Sequence, residues 1–271
     1  MKSERIQSAR TLAGLRKRRE AGRAIVALTA YDCLMASWLA ECAVDFLLVG
    51  DSLGNVIAGH ATTLPVTMDQ MAYHTVLVVR GAHGVPVVAD MPFLSYEISP
   101  VEAVRNAGRL VKEAGAAGVK VEGGMAVIEA VRSMVTARIP VLGHTGLKPQ
   151  AVLQMGGYKV QGGTRAAAAL IRREALALQD AGVFALVLEC VPAALAARLT
   201  AELKVPTIGI GAGQGCDGQI LVTHDLLGWT GQPKKFVKPY ADFRRAAQAA
   251  VTAFAGDVQA GRFPDAQHSF K

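Results

Sequence analysis

Eight short, nearly unbroken apolar runs, each separated from the next by a stretch of different character, constrain this 271-residue chain more than any other feature. The first four are Ile25 to Leu28, Phe46 to Val49, Val85 to Ala89 and Gly118 to Val121. The others are Ile139 to Leu142, Val183 to Leu188, Val205 to Ile210 and Gln219 to Val222. Short runs rich in β-branched residues suit parallel strands covered on both faces. Segments between them, such as Ser99 to Ala114 and Ala166 to Ala181, carry helical spacing. Ser99-Pro100 reads as an N-cap followed by proline at the first helical position. Gly115 and Gly182 read as helix stops. Strands and helices alternating eight times predict an α/β fold, the (β/α)8 TIM barrel. A doubly wound open sheet is the alternative, and the count of eight and the chain length favour the barrel. Ile6 to Arg19 are expected to form an extra N-terminal helix, and Tyr240 to Ala260 a final helix, in a single domain spanning 1–271.

Composition removes other classes. With 51% hydrophobic and 19% charged residues, the chain is too apolar for general disorder. The closest approach to a membrane span, Ala181 to Ala197, is broken by Glu189 and Pro192. The first residues lack the apolar core of a secretory signal, so a cytoplasmic protein is expected. Cys33, Cys42, Cys190 and Cys216 have no CxxC spacing and are expected to be reduced thiols. The net charge of +7 includes Arg16-Lys17-Arg18-Arg19 and Lys234-Lys235. Nucleic-acid binding would want a basic face with aromatic side chains interleaved, but aromatics are only 6% and none lies within the run at 16–19. Attraction of anionic substrates accounts better for the charge.

Barrel enzymes work at the C-terminal ends of their strands. Here the second run closes with Asp51-Ser52, the third with Asp90, and the fourth with Lys120-Val121-Glu122. The fifth closes with His144, the sixth with Glu189, and the seventh with Gly209 to Gly213. One such residue often does no more than cap the next helix. Five successive strands ending in ionisable groups predict a site at one rim. Glu189 is the least cap-like, since it continues Val187-Leu188 and precedes Cys190-Val191-Pro192. Three converging carboxylates, Asp51, Asp90 and Glu122, repel one another unless a cation lies among them. Oxygen-only donors favour Mg2+, or Mn2+ in its place, over zinc. Such an ion leaves positions open for a chelating 2-oxo acid.

Two motifs point elsewhere. Gly213 to Gly218 matches GxGxxG after a strand, but Ile220-Leu221-Val222 follows where a helix is required, and Lys238 stands where an acidic residue would hold a ribose. Gly50-Asp51-Ser52-Leu53-Gly54 matches a nucleophile elbow and the Gly-Asp-Ser-Leu block of a lipase and esterase family. Asp265-Ala266-Gln267-His268 supplies that family's terminal DxxH. In that reading Ser52 is the nucleophile and His268 the base. No Gly-x-Asn-Asp block is present, and Asp90, Glu122 and Glu189 would have no role.

Taken together, several segments resemble the ketopantoate (3-methyl-2-oxobutanoate) hydroxymethyltransferase family. They include Thr29-Ala30-Tyr31-Asp32, Val49 to Gly54, Leu64 to Thr67, Ala89 to Phe93 and Val119 to Gly124. Further on come Gly143 to Leu147, Gly156 to Gly162, Leu188 to Pro192, Gly209 to Gly213, Asp217 to Gln219 and His268 to Phe270. Lys148 and Ala151 depart from the Thr and Ser common after the His-x-Gly-Leu motif. Gly163 to Arg165 depart as well. The resemblance implies a (β/α)8 barrel assembled as a homodecamer, with Mg2+ held by Asp51, Asp90 and Glu122. It implies a 2-oxo acid contacted by Asp51, Ser52, Asp90 and Lys120, with His144 nearby and Glu189 as proton acceptor. It implies transfer of a hydroxymethyl group from 5,10-methylenetetrahydrofolate to 3-methyl-2-oxobutanoate, giving 2-dehydropantoate on the route to pantothenate. Two other readings stay open. One is a lyase of the phosphoenolpyruvate mutase and isocitrate lyase superfamily, whose Lys-Cys-Gly-His type loop has no counterpart here. The other is a non-catalytic assembly protein on the same barrel.

Overall fold

The computed structural model describes residues 11–231 and 234–270. They fall into two compact units, one ending at Val222 and one starting at Thr223. The first is a closed barrel of eight parallel strands paired in sequence order. These are β1 (Ile25–Thr29), β2 (Phe46–Val49), β3 (Val87–Asp90), β4 (Gly118–Glu122), β5 (Val141–Gly146), β6 (Ala185–Glu189), β7 (Thr207–Ile210) and β8 (Gly218–Leu221). β8 closes on β1 with Ile25 opposite Gly218 and Leu28 opposite Leu221. Each apolar run of the sequence yields one strand. The largest difference is at β5, which continues through His144 to Gly146 because it stays paired with β6 as far as Gly146↔Glu189.

Side chains alternate between two apolar layers, as strand geometry requires. Phe46, Leu48, Val88, Leu142, Ala185, Val187, Ile208 and Ile220 fill the barrel interior. Leu47, Val49, Ala89, Val119, Val121, Leu186 and Leu188 pack in a second layer with helix residues such as Met71, Leu110, Met134 and Leu178. The same period of two places the site. Asp90 follows Val88 by two residues, His144 follows Leu142, Glu189 follows Val187, and Lys120 and Glu122 follow Gly118. The parity that fills the interior with hydrocarbon therefore delivers these polar side chains above it.

The opposite end is closed by the N-terminal helix Gly14–Glu20. Leu12 and Leu15 join the interior cluster. Arg19 donates to the carbonyls of Thr200, Leu203 and Val205 at 2.7–2.8 Å and pairs with Asp217. Residues 6–10 of the expected helix lie outside the described residues. Helix Pro100–Gly108 starts at Ser99, whose hydroxyl accepts the Glu102 N–H. It widens into a π turn over Arg109–Glu113, and Gly115 follows with φ +80°. Helix Arg165–Asp180 is capped by Thr164 and followed by Gly182 with φ +96°. The second unit holds the helix Phe243–Gln259, inside the span expected for a final helix. Among the described residues no helix is long and apolar enough to cross a membrane. Cys33, Cys42, Cys190 and Cys216, all among the described residues, form no disulfide.

Candidate active site

The strand ends form one chain of contacts. A side chain at Gly50 would lie 2.6 Å from Ser52 Oγ and 3.5 Å from Asp90 Oδ2. Glycine there lets the Asp51 N–H donate to Asp90 Oδ2 at 3.0 Å. Lys120 Nζ donates to Asp90 Oδ1 at 2.5 Å and lies 3.6 Å from Glu122 Oε1. Glu122 Oε1 is 3.4 Å from His144 Nδ1, and His144 Nε2 is 3.3 Å from Glu189 Oε2. Asp51, Asp90, Lys120, Glu122 and His144 are buried, whereas the Glu189 side chain is 16% exposed. The base candidate is thus the open end of an otherwise sealed row.

The backbone around Glu189 is held tightly. Gly146, at φ +98°, packs so close to the Glu189 carbonyl that a Cβ would sit 2.3 Å from it. Cys190 adopts φ +47°, uncommon for a residue with a side chain. It is fixed by its N–H to the Ile210 carbonyl at 2.9 Å and by its own carbonyl accepting from Gln161 N at 2.8 Å.

Four carboxylates here face two cationic side chains. Burial, then the charges of Asp90 and Glu122, hold the Asp51 carboxyl well above the usual range. Burial also raises Asp90, although Lys120 opposes it. Burial would raise Glu122 too, but His144 and Lys120 outweigh it and bring the group down to about 2. Burial would lower His144, but Glu122 beside it raises the imidazole to about 9. For Lys120, the charges of Asp90, Glu122 and Asp51 overcome burial and keep the ammonium protonated. The cluster therefore resolves into an imidazolium–carboxylate pair, an ammonium–carboxylate pair and an under-compensated Asp51.

Four carboxylates facing two cationic side chains test the fit of a divalent cation, which would favour the charged form of Asp51. Among the described residues no three His, Cys, Asp or Glu side chains form a ready-made cage. Mg2+ does not need one, since it binds through one or two carboxylates and completes its shell with water and substrate. Oxygen donors, burial and uncompensated charge around Asp51 and Asp90 fit such an ion. Glu122 borders the same space, with Oε2 accepting the Gln150 N–H at 3.1 Å.

The structure adds residues that were not singled out from the sequence. Tyr31 OH lies 2.8 Å from Ser52 Oγ. Gln150 Nε2 donates to Asp51 Oδ2 at 2.8 Å, and Tyr96 OH donates to Gln150 Oε1 at 2.7 Å. The Tyr158 phenol is raised by burial and by the charges of Asp51, Glu189 and Glu122. Tyr31, Tyr96 and Gln150 follow strand ends by a few residues, whereas Tyr158 lies further along the loop after β5. A search of each whole βα loop, rather than of the residue ending each run, finds Tyr31, Tyr96 and Gln150. Lys148, which departs from the family pattern, pairs with the buried Glu174 at 3.3 Å.

Comparison with known proteins identifies the lineage. The family described as ketopantoate hydroxymethyltransferase matches residues 9–266. The chain belongs to that family. The 3-methyl-2-oxobutanoate hydroxymethyltransferase of Moorella thermoacetica is 54% identical over 262 residues, covering 96% of this chain and 97% of the relative. That of Geobacter sulfurreducens is 50% identical over 266 residues, covering 98% and 100%. Among solved structures, a phosphonopyruvate hydrolase bound to oxalate and Mg2+ superposes with a TM-score of 0.63 at 14% identity, covering 95% of this chain and 93% of the other. A 2,3-dimethylmalate lyase superposes at 0.59 with 19% identity, covering 96% and 92%. These two share the fold.

For a ketopantoate hydroxymethyltransferase the rival motifs have structural explanations. Gly213 to Gly218 connects β7 to β8, with no helix at its end, and Asp217 Oδ2 accepts the Thr207 N–H at 2.8 Å. Ser52 Oγ pairs with a tyrosine. Asp265 and His268 pair with each other inside the second unit, Oδ1 to Nδ1 at 2.6 Å.

Proposed function

We propose that the chain transfers a hydroxymethyl group from 5,10-methylenetetrahydrofolate to C3 of 3-methyl-2-oxobutanoate, giving 2-dehydropantoate and tetrahydrofolate with uptake of water. The observation that carries this reading is the contact chain from Asp51 to Glu189, with its buried end rich in negative charge and its open end a carboxylate. Membership of the family over nearly the whole chain supports it. Asp51, Asp90 and Glu122 would hold Mg2+, and the ion, when bound, supplies the Lewis acidity that stabilises charge developing on the keto oxygen. Lys120 and Ser52 orient the oxo acid beside these carboxylates. Glu189 accepts the C3 proton. His144, charged and 3.3 Å away, holds the Glu189 carboxylate toward the mouth. The carbanionic C3 then attacks the one-carbon unit. The net positive charge of the chain suits two anionic substrates. Mass spectrometry of a mixture of both substrates, Mg2+ and protein is expected to show 2-dehydropantoate. No product from that complete mixture contradicts the proposal.

The metal is tested separately. Asp51→Asn and Asp90→Asn should each weaken Mg2+ binding in calorimetric titration; the melting temperature should stay near that of the wild type in Asp51→Asn and fall in Asp90→Asn, which also breaks the buried pair with Lys120. Unchanged affinity in both places the ion elsewhere.

Ser52→Ala separates transfer from ester hydrolysis. In the transferase it removes one neutral hydrogen bond, worth about 0.5–1.5 kcal/mol, so activity should fall roughly 2- to 12-fold. A wild-type esterase activity that disappears in Ser52→Ala, without any transferase activity, contradicts the reading.

We further infer a cytoplasmic homo-oligomer, a decamer by family resemblance. The helix Phe243–Gln259 supports assembly, because none of its residues is buried and Val251, Phe254 and Val258 are exposed. Light scattering should give a mass far above 28.4 kDa. A monomer at micromolar concentration contradicts it.

A further inference from the structure

We infer that Gln150 is a positioning residue that aims Asp51 and restrains Glu122, and so sets the affinity of the site for a divalent cation. The inference rests on the proposed metal site and extends it to a residue that contacts no reacting atom.

Gln150 lies in the short turn Pro149–Ala151 after β5 and is 6% exposed. Such burial of a primary amide is costly unless its groups are paired. Every one of them is. Nε2 donates to Asp51 Oδ2 at 2.8 Å and to the Met91 carbonyl at 2.9 Å. Oε1 accepts from Tyr96 OH at 2.7 Å, and the backbone N–H donates to Glu122 Oε2 at 3.1 Å. Tyr96 OH in turn accepts the Glu122 N–H at 3.2 Å. The amide cannot be turned over, because the Asp51 carboxylate and the Met91 carbonyl only accept hydrogen bonds. One residue of the β5 loop thus ties together the ends of β2, β3 and β4.

The chemistry of the residue matters as much as its position. A Lys or Arg at this point would also donate to Asp51, but its charge would compete with a cation. An Asp or Glu would add a further repelling carboxylate. A neutral amide fixes one oxygen of Asp51 and leaves its charge uncancelled. The turn that carries Gln150 is itself anchored. Thr145 Oγ1 donates to Glu174 Oε2 at 2.6 Å, and Lys148 Nζ lies 3.3 Å from Glu174 Oε1. Gly124 leaves room for that carboxylate, since a Cβ there would lie 2.2 Å from it.

Gln150→Met keeps length and volume and removes the side-chain donors. Outer partners of metal ligands typically change metal affinity or activity by about 10- to 100-fold. Calorimetric titration of the substrate-free protein with Mg2+ alone should therefore show Gln150→Met binding about 10- to 100-fold more weakly. The Mg2+ concentration giving half-maximal turnover should shift in the same direction. Tyr96→Phe, which removes the hydroxyl set between Gln150 Oε1 and the Glu122 backbone, should weaken Mg2+ in the same sense by a smaller factor. Melting curves confirm that each variant is folded. Wild-type Mg2+ affinity in a folded Gln150→Met overturns the inference. Should Gln150→Met fail to fold, wild-type affinity in Tyr96→Phe overturns it instead. The titration uses the metal alone, so its outcome is independent of which reaction the site performs.

Discussion

Glu189→Gln is expected to cut turnover of the oxo acid by about 10²- to 10⁴-fold, the usual loss when a general base is removed. The substitution keeps the size of the side chain and a hydrogen-bonding oxygen toward His144, but the amide cannot take a proton. Glu189 is the carboxylate of the cluster with an open face, with its side chain 16% exposed. Glu122 is engaged by His144, Lys120 and the Gln150 N–H. Asp90 is engaged by Lys120 and the Asp51 N–H. Oxo-acid binding should survive, so the loss should appear in kcat with KM nearly unchanged. If Glu189 served only to pair with His144, the variant would lose stability, and its folded fraction would turn over at the wild-type rate. Steady-state kinetics beside a melting curve separates the two. Wild-type turnover in well-folded Glu189→Gln would remove Glu189 as the base.

Lys120→Met is expected to destabilise the fold by about 3–5 kcal/mol, the cost of removing one partner from a buried ion pair. The ammonium touches Asp90 at 2.5 Å and Glu122 at 3.6 Å, and all three side chains are buried. Methionine fills the volume but leaves both carboxylates without their common counter-charge. Urea denaturation at fixed protein concentration measures the change, since the proposed assembly would make apparent stability depend on concentration. Adding Mg2+ should restore part of the loss, because an ion that binds only the folded protein stabilises it by mass action. A change below about 1 kcal/mol would show that the carboxylates are balanced by something other than Lys120.

Much of this architecture was legible in the sequence because parallel barrel strands are buried on both faces. Their runs are continuous and easy to count, and each of the eight became a strand. The rim was legible for a related reason. A strand has period two, so the residue two positions beyond an interior Val88, Leu142 or Val187 points the same way. Asp90, His144 and Glu189 follow by parity alone. Asp51 and Ser52 lie past the end of β2, where direction is set by the Gly50 turn, and only their place after a strand marked them. Gln150 and Tyr96 could not be placed in this way. Gln150 reaches Asp51 across 99 residues of sequence, and nothing in period or composition gives the path of its loop. Lys148 shows the same limit: its partner Glu174 belongs to the helix Arg165–Asp180. Along Ser99 to Ala114 the spacing reads as one helix, and the π turn at Arg109–Glu113 changes its last turn without leaving a trace in the apolar pattern.

In the proposed reaction Glu189 takes the C3 proton of 3-methyl-2-oxobutanoate. The most direct test is deuterium exchange at C3, followed by proton NMR, with protein and Mg2+ in D2O and no folate. The C3 proton signal is expected to fade faster than in protein-free Mg2+ solution, and near that background with Glu189→Gln. Exchange no faster than background in the wild type, or equally fast in a folded Glu189→Gln, would contradict the proposal.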